Sequence, residues 1–272
     1  MPAVDFKRFN RDSAGLLQHF GQPAEFLPLL HAIFEQYANR TIRSRPSPLT
    51  TALPTYQVPL AVVRHLEMLL AQPTIADPQN GLRLILALWQ DGVFEGRILA
   101  AQLLGKITIE SATFVDTIGQ FVQESNDAEI LDILLNQAMD RFRQKDPIAF
   151  LRMLASWVAT HEDKLTSHAL TAIHRSIQED EDLNLPEIIN IITPPLRAAP
   201  QTFQPHMLSL IAAIYTHSES EAVYFIRQLF ADPFVAVLPA VFRRILPSLP
   251  PDLQPAVTDL LREKAPLAKN RI

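Results

Sequence analysis

The chain has 272 residues, of which 48% are hydrophobic and 19% are charged, a globular composition that excludes wholesale disorder and a collagen-like chain. It has no cysteine, which excludes disulfides, thiol nucleophiles and thiolate metal sites. The formal net charge is −5, and residues 71–200 carry ten Lys or Arg against eighteen Asp or Glu. A protein that is basic throughout is therefore excluded, although one basic surface is not.

Two features of the sequence predict where the protein resides. No apolar run reaches the roughly 18 residues that span a bilayer. The N-terminus, MPAVDFKRFNRD, is charged and is followed by no apolar segment, so it does not have the pattern of a signal peptide. We therefore expect a soluble, cytoplasmic protein that makes no contact with a membrane.

Helical periodicity runs through almost the whole chain, and strand signals are nearly absent. For example, Phe94, Ile98, Ala101 and Leu104 lie on one stripe of a helix that would end at Gly105. Most of the 22 prolines stand where a helix would begin or end. The periodicity predicts about fourteen helices, near residues 5–20, 23–38, 57–71, 78–90, 94–105, 110–123, 127–143, 147–160, 162–178, 185–199, 202–216, 218–231, 233–247 and 250–263.

From residue 57 onward, the predicted helices form pairs. The first helices of successive pairs begin near residues 57, 94, 127, 162, 202 and 233, a loose period of two helices. Such a period is typical of α-solenoids, whose stacked hairpins curve to expose a concave surface. We predict one all-α domain over 1–272, with an N-terminal helical pair and basic loop at 1–53, repeats at 54–263 and a basic tail at 264–272.

One long irregular stretch, TIRSRPSPLTTALP at 41–54, lies in a basic region of the chain. Arg40, Arg43 and Arg45 stand among Ser and Thr residues there. Flexible basic loops can follow a nucleic-acid backbone without reading its bases, so these three residues are candidate phosphate contacts. The alternative is a loop that only keeps the protein in solution.

Motifs for metal-dependent or cofactor-dependent chemistry are missing. The sequence has no HExxH, GxxxxGK[ST], GxGxxG or GxSxG. His161, His168 and His174 are seven and six residues apart, which is not the i, i+4 pairing of a helical zinc site. We therefore predict no metal and no cofactor.

Two segments in the first half carry a distinctive pattern. In PTYQVPLAVVRHLEMLL, 54–70, an aromatic residue precedes a turn and a helix with Arg64 at its centre. In ALWQDGVFEGRILAAQLLGKI, 87–107, Leu-Trp precedes a polar turn, an aromatic-Glu-x-Arg element and an Ala/Leu-rich helix. Both segments resemble the AlkD-like DNA alkylation repair family. The resemblance implies a right-handed α-solenoid of HEAT-like hairpins whose concave face binds duplex DNA and, in the active glycosylases, removes cationic alkylpurines.

The resemblance also implies site residues. The family places a carboxylate four residues after a Trp on one helix face, and here the carboxylate position falls on Asp132 in NDAEILDILLNQAMD. A fixed carboxylate there would stabilise positive charge on the sugar as the base departs. The Trp position falls on Ala128, which has no ring. Arg64 and Arg175 join the three loop arginines as candidate DNA contacts.

A later helix of the family carries an aromatic residue followed by paired Arg. The corresponding stretch, 162–177, offers Leu165, Ser167 and His168 instead. The sequence therefore matches the scaffold of the family better than it matches the family's site residues. Two functions stay open. One is a DNA-binding or alkylpurine glycosylase function. The other is a non-catalytic protein-interaction scaffold, with a protein partner in place of duplex DNA; an RNA-binding solenoid has no code-like repeat residues in its favour. We expect a monomer.

Two tryptophans and one charged pair have structural interpretations. Trp89 and Trp157 lie in apolar helical stripes, so a core position is expected over stacking on a base. Glu95 and Arg97 are two residues apart and do not face each other on a helix. We expect each of them to pair with a neighbouring repeat.

Overall fold

The computed structural model describes residues 6–38, 51–179, 183–231 and 237–264. Within these residues every regular element is a helix, which confirms the all-α prediction. In chain order the α-helices are α1 (Phe6–Gln18), α2 (Pro23–Tyr37), α3 (Leu60–Ala76), α4 (Pro78–Asp91), α5 (Phe94–Leu104), α6 (Ser111–Glu124), α7 (Ala128–Ile133), α8 (Met139–Lys145), α9 (Pro147–Ala159), α10 (Asp163–Glu179), α11 (Leu185–Ala198), α12 (Gln204–His217), α13 (Glu219–Phe230), α14 (Leu238–Ile245) and α15 (Leu253–Lys264).

A π-helical turn, Leu134–Ala138, joins α7 to α8, so these two segments form one continuous helix. Counted in this way, the described residues contain fourteen α-helices, as the periodicity predicts. A short 3-10 helix, Leu246–Ser248, comes directly after α14.

Helix boundaries are set by capping side chains, proline and glycine. The Asp77 carboxylate accepts a hydrogen bond from the backbone N–H of Asn80 at 3.1 Å, and Pro78 occupies the first turn of α4, where its missing N–H costs nothing. The same helix ends at Gly92, whose φ of 76° lies in the left-handed region that favours glycine. Asn184 and Ser218 cap α11 and α13 with their side-chain oxygens.

α3 departs from its predicted bounds of 57–71. It begins at Leu60, after a non-helical segment, and continues past Pro73. Its last turn packs closely on α4, because a Cβ at Gly81 would lie 3.0 Å from Thr74 Cγ2. A side chain at Gly81 would crowd Thr74, so glycine favours this close approach of the two helices.

The chain forms two compact units, and the first is Met1–Ala149. There α1 packs on α2 and α3, α2 packs on α4, and α3 packs on both α4 and α5. α5 also packs on α4, α7 and the π turn. Contacts of a helix with its neighbour and with the next helix but one are the pattern that stacked helical hairpins produce. Large apolar side chains fill the core between them, among them Phe9, Leu66, Leu84, Trp89 and Phe121.

The second unit is Phe150–Ile272, and its helices form two rows. α10 packs on α12 and α12 on α14 in one row, while α11 packs on α13 and α13 on α15 in the other. α12 also packs on α13 and so joins the rows. The core between the rows includes Leu170, Ile188, Leu210, Phe225 and Phe242. The second unit therefore also has the pattern of helix contacts that stacked helical hairpins produce.

Candidate functional site

A groove of about 410 Å³ opens on the first unit across α3, α5 and α7. α5 contacts both α3 and α7, so the groove lies across three neighbouring helices. The side chains that line it come from these helices and from the π turn: Leu60, Val63, Arg64, Glu67, Met68, Ile98, Gln102, Glu129, Asp132, Ile133 and Gln137.

Two residues singled out from the sequence line this groove together. Asp132 lies on α7 and Arg64 lies on α3, and both side chains are exposed. Asn136, one turn after Asp132, donates a side-chain hydrogen bond to the Asp132 carboxylate. The fold therefore brings the candidate carboxylate and one candidate phosphate contact to the same opening.

The π turn lies directly beside the candidate carboxylate. Such a turn adds a residue to an α-helix and rotates the residues after it relative to those before it. Asp132, ahead of the turn, and Gln137, inside it, both line the groove, although a spacing of five does not put neighbours on one face of a regular α-helix. The turn packs tightly on the end of α5, because a Cβ on Gly105 would lie 2.8 Å from Ala138 Cα.

The groove is acidic. Its lining carries the carboxylates of Glu67, Glu129 and Asp132 and the guanidinium of Arg64. Lys106, outside the lining, pairs with Glu67 at 2.8 Å. Burial raises the pKa of Glu129, and nearby carboxylates, including that of Asp132, raise it further. The excess of negative charge favours a cationic ligand over a phosphate.

Exposed apolar side chains also border the groove. Leu60 is 48% exposed and Met68 is 61% exposed, and both lie on α3 with Arg64 midway between them. Exposed apolar surface rimmed by charged groups is a feature of binding grooves. Ala128, at the position where the family resemblance calls for a Trp, is exposed and carries no ring. The exposed large apolar side chains at the groove therefore lie on α3.

Glu95 organises the start of α3. It is only 2% exposed, and its carboxylate accepts hydrogen bonds from the Thr55 hydroxyl at 2.8 Å and from the backbone N–H groups of Tyr56 and Val58 at 3.3 and 3.1 Å. A buried carboxylate is tolerated when hydrogen bonds replace its hydration. Glu95 thus links α5 to the segment before α3, the contact with a neighbouring repeat that we expected, and fixes where Leu60 enters the helix.

Both tryptophans are buried. Trp89 is 1% exposed and Trp157 is 4% exposed. The Trp89 ring stacks on Phe121 with the ring centroids 3.8 Å apart, and its indole N–H donates to Glu124 at 2.7 Å. The Arg97 guanidinium lies 4.7 Å from the centroid of the same indole. These contacts place Trp89 in the core rather than on a base-binding surface.

The other predicted DNA contacts lie elsewhere in the chain. Arg40, Arg43 and Arg45 fall outside the described residues. Arg175 lies on α10 in the second unit, where its Nε binds the Glu179 carboxylate at 2.6 Å. The Arg175 guanidinium is therefore ion-paired with a carboxylate on its own helix.

A hydrogen-bonded chain in the first unit was not predicted from the sequence. Tyr56 OH lies 2.7 Å from His31 Nδ1, and His31 Nε2 lies 3.0 Å from Asp91 Oδ2. Burial raises the pKa of Tyr56, and the negative charges of Glu35, Asp91 and Glu95 raise it further. The chain ties α2, the segment before α3 and the end of α4 together. No sequence spacing signals it, because its partners come from three separate elements.

A hydroxyl–imidazole pair in the second unit was also missed. Ser167 Oγ lies 3.1 Å from His206 Nε2. Burial lowers the pKa of His206, and the nearby His174 lowers it further. His206 Nδ1 is buried and has no hydrogen-bond partner among the described residues. The third member that orients the ring in a catalytic triad is therefore missing from this part of the chain.

Metal-binding clusters and membrane-spanning helices are both missing from the described residues. In the part of the chain that the structure describes, no group of three or more His, Asp or Glu side chains is placed to hold a metal ion. None of the helices described there is both long enough and apolar enough to cross a bilayer.

A family model described as DNA alkylation repair enzyme matches residues 57–227, more than half of the chain. The matched span begins just before α3, ends within α13 and contains every residue that lines the groove. Neither a search of curated proteins nor a search of solved structures returned a match. On the strength of the matched span, the chain belongs to the DNA alkylation repair enzyme family.

Proposed function

We propose that the protein binds duplex DNA that carries a cationic alkylated base and holds this base in the groove beside Asp132. The observation that carries the proposal is the composition of the groove. A single opening in the part of the chain that matches the family combines Asp132 with two further carboxylates and with exposed apolar side chains.

The charge of the groove suits the base rather than the backbone of DNA. Alkylation at a ring nitrogen of a purine gives the base a positive charge. Glu67 is paired with Lys106, and the carboxylates of Glu129 and Asp132 attract such a ring and repel phosphates. Flat rings also need apolar contact, which Leu60 and Met68 offer on α3.

Phosphate contacts must then come from cations outside the acidic centre of the groove. Arg64 is exposed and lies between Leu60 and Met68 on α3, so it is the first candidate. Arg40, Arg43 and Arg45 are proposed as further contacts from the sequence alone, and Arg175 is proposed on the same basis. Each phosphate that they neutralise would release counterions, so binding must weaken as salt rises.

Base release is the slower part of the proposed function. A cationic purine is already a good leaving group, and its departure leaves positive charge on the sugar. The Asp132 carboxylate would stabilise that charge while water attacks. No ring stands at Ala128 to share the task, so we expect release to be slow relative to binding.

A binding experiment tests the proposal. The probes are a short duplex with one central 7-methylguanine and the unmodified duplex, measured by fluorescence anisotropy over a salt series. We expect salt-dependent binding and about a tenfold preference for the methylated duplex, roughly 1.4 kcal/mol. The Asp132→Asn variant should lose the preference and should release free 7-methylguanine no faster than the duplex does without protein.

The matched control is Asp116→Asn. Asp116 is an exposed carboxylate on α6 in the same unit and does not line the groove. This variant should keep the preference of the wild type. Absence of duplex binding at low salt would contradict the proposal and would favour a protein-interaction scaffold. A preference that survives in Asp132→Asn would show that the base does not sit beside Asp132.

A further inference from the structure

We infer that Glu129 is a second catalytic carboxylate of the groove and accepts a proton from the water that attacks the sugar. This inference rests on the proposed function, and it assigns the activation of water to a residue other than Asp132. Glu129 lies in the first turn of α7, three residues before Asp132, and both side chains line the same groove. Residues at this spacing are neighbours on one face of a helix.

The three carboxylates of the groove differ in their partners. The Glu67 carboxylate pairs with Lys106 at 2.8 Å, and the Asp132 carboxylate accepts a hydrogen bond from the side-chain amide of Asn136. Among the described residues, the Glu129 carboxylate has neither an ion-pair partner nor a hydrogen-bond donor. It is half-buried and borders an open groove, so its hydrogen bonds come from water. Of the three, Glu129 is therefore the carboxylate that water in the groove can use.

The surroundings of Glu129 make it a stronger base. Burial raises its pKa, and so do the negative charges of Asp127, which caps α7, and of Asp132. Across the groove, α3 presents Arg64 and the paired Glu67, while the lining residues of α5 and of the π turn are uncharged. A general base works best when its pKa lies close to the working pH, so a raised pKa suits a carboxylate to this task.

Hydrolysis of a glycosidic bond commonly has separate tasks for two carboxylates. The bond between C1′ of the sugar and N9 of the alkylated purine breaks, and its electron pair goes to N9, so the base leaves without its positive charge. As this bond breaks, the oxygen of a water bonds to C1′ and one proton of that water passes to Glu129. The products are an abasic sugar, the neutral base and a protonated Glu129, which returns the proton to solvent. Asp132 stabilises the positive charge that develops on the sugar.

Release of 7-methylguanine with the protein in excess over the methylated duplex tests this assignment. The rate of the duplex without protein is subtracted. We expect Glu129→Gln to release the base about a hundredfold more slowly than the wild type, as for the loss of a general base. Its affinity for the methylated duplex should fall by no more than about fivefold, because Asp132 remains beside the base. A large loss of rate with a small loss of affinity indicates a group that acts in the transition state.

Two further measurements separate a base from a carboxylate that only attracts the cation. Release by the wild type should slow as pH falls through the pKa of Glu129, because the protonated carboxyl accepts no proton, and Glu129→Gln should lack this acidic limb. Release by the wild type should also be slower in heavy water, since a proton of water moves as the bond breaks. The variant should lose this isotope effect.

Glu110→Gln is the matched control. Glu110 is an exposed carboxylate before α6 that does not line the groove, so this variant should release the base as the wild type does. Glu129→Asp keeps a carboxylate but shortens the side chain, and its rate should lie between those of the wild type and Glu129→Gln. At pH 7 the Tm of Glu129→Gln should equal or exceed that of the wild type, because neighbouring carboxylates repel the charge that it removes. A clear drop in Tm would assign Glu129 a structural role and would overturn the inference.

The outcomes also separate this inference from the function on which it rests. Release by Glu129→Gln within about threefold of the wild type, or with the same acidic limb, would overturn the role of Glu129 while the dependence of binding on Asp132 stands. A preference for the methylated duplex without release above the rate of the duplex alone would overturn it too, and only the binding function would remain. If the protein does not prefer the methylated duplex, the proposed function fails, and the inference fails with it.

Discussion

The buried carboxylate of Glu95 accepts a hydrogen bond from the backbone N–H of Val58 at 3.1 Å. This bond, with those from Thr55 and Tyr56, joins the first turn of α5 to the chain that leads into α3. Both helices line the groove, α3 with Arg64 and α5 with Gln102. Glu95 is thus a positioning residue, since it does not line the groove but sets where the start of α3 lies.

Replacement of Glu95 by Ala should destabilise the first unit strongly. Three donors would lose their acceptor in a buried place, at a cost of about 3 kcal/mol in the free energy of unfolding. Urea denaturation measures the change. Glu110→Ala is the control, because Glu110 is an exposed carboxylate before α6 whose side chain makes no cap, and it should change stability by less than about 0.5 kcal/mol. Equal losses in the two variants would contradict the role of Glu95.

Replacement of Trp89 by Phe should lower stability without changing DNA affinity. The variant loses the hydrogen bond to Glu124 and part of the stacked area on Phe121, about 2 kcal/mol together. Denaturation and duplex binding would both be measured on the folded variant. A stable variant with weakened duplex binding would instead show that the indole contacts DNA.

Replacement of Arg64 by Gln should weaken binding to methylated and unmodified duplexes by the same factor. A lost phosphate contact makes the plot of log K against log salt shallower by about 0.9. Arg83→Gln is the control, because Arg83 is exposed on α4 and does not line the groove. A loss confined to the methylated duplex would assign Arg64 to the base rather than to the backbone.

Replacement of Glu129 by Gln should change how stability depends on pH. Burial raises the pKa of this carboxyl above its ordinary 4.5 in the folded state. The Glu129 carboxyl therefore binds a proton more tightly in the folded protein than in the unfolded chain. The stability that this difference contributes is complete below pH 4.5 and is lost as pH rises through the raised pKa. The variant should gain stability relative to the wild type at pH 7 and gain little at pH 4. Urea denaturation at the two pH values measures this difference, and an equal gain at both would contradict the raised pKa.

Much of the fold could be predicted from the sequence because its signals are local. The 3.6-residue period of apolar side chains and the placement of Pro and Gly indicate the helices and most of their ends. α3 departs from its predicted bounds at both ends. Glu95 accepts hydrogen bonds from the backbone just before Leu60, and the turn of α3 that lies beyond Pro73 packs closely on Gly81. Both are tertiary contacts that a local pattern does not contain.

The candidate site was predictable only in part. Asp132 and Arg64 were found through family resemblance, and the fold brings them to one groove. The π turn after Asp132 could not be found, since the helical pattern of 127–143 continues through it. Glu129 could not be found either, because the burial and the neighbours of a carboxylate are properties of the surroundings and not of the residue. The sequence shows that Ala128 has no ring, but it does not show that Leu60 and Met68 expose apolar surface at the groove.

Occupation of the groove beside Asp132 by a cationic base can be located with the amide ¹H–¹⁵N spectrum of the protein bound to each duplex. We expect the shifts that differ between methylated and unmodified DNA to concentrate at 60–68, 98–102 and 129–137. Differences centred on α13, or no differences at all, would contradict it.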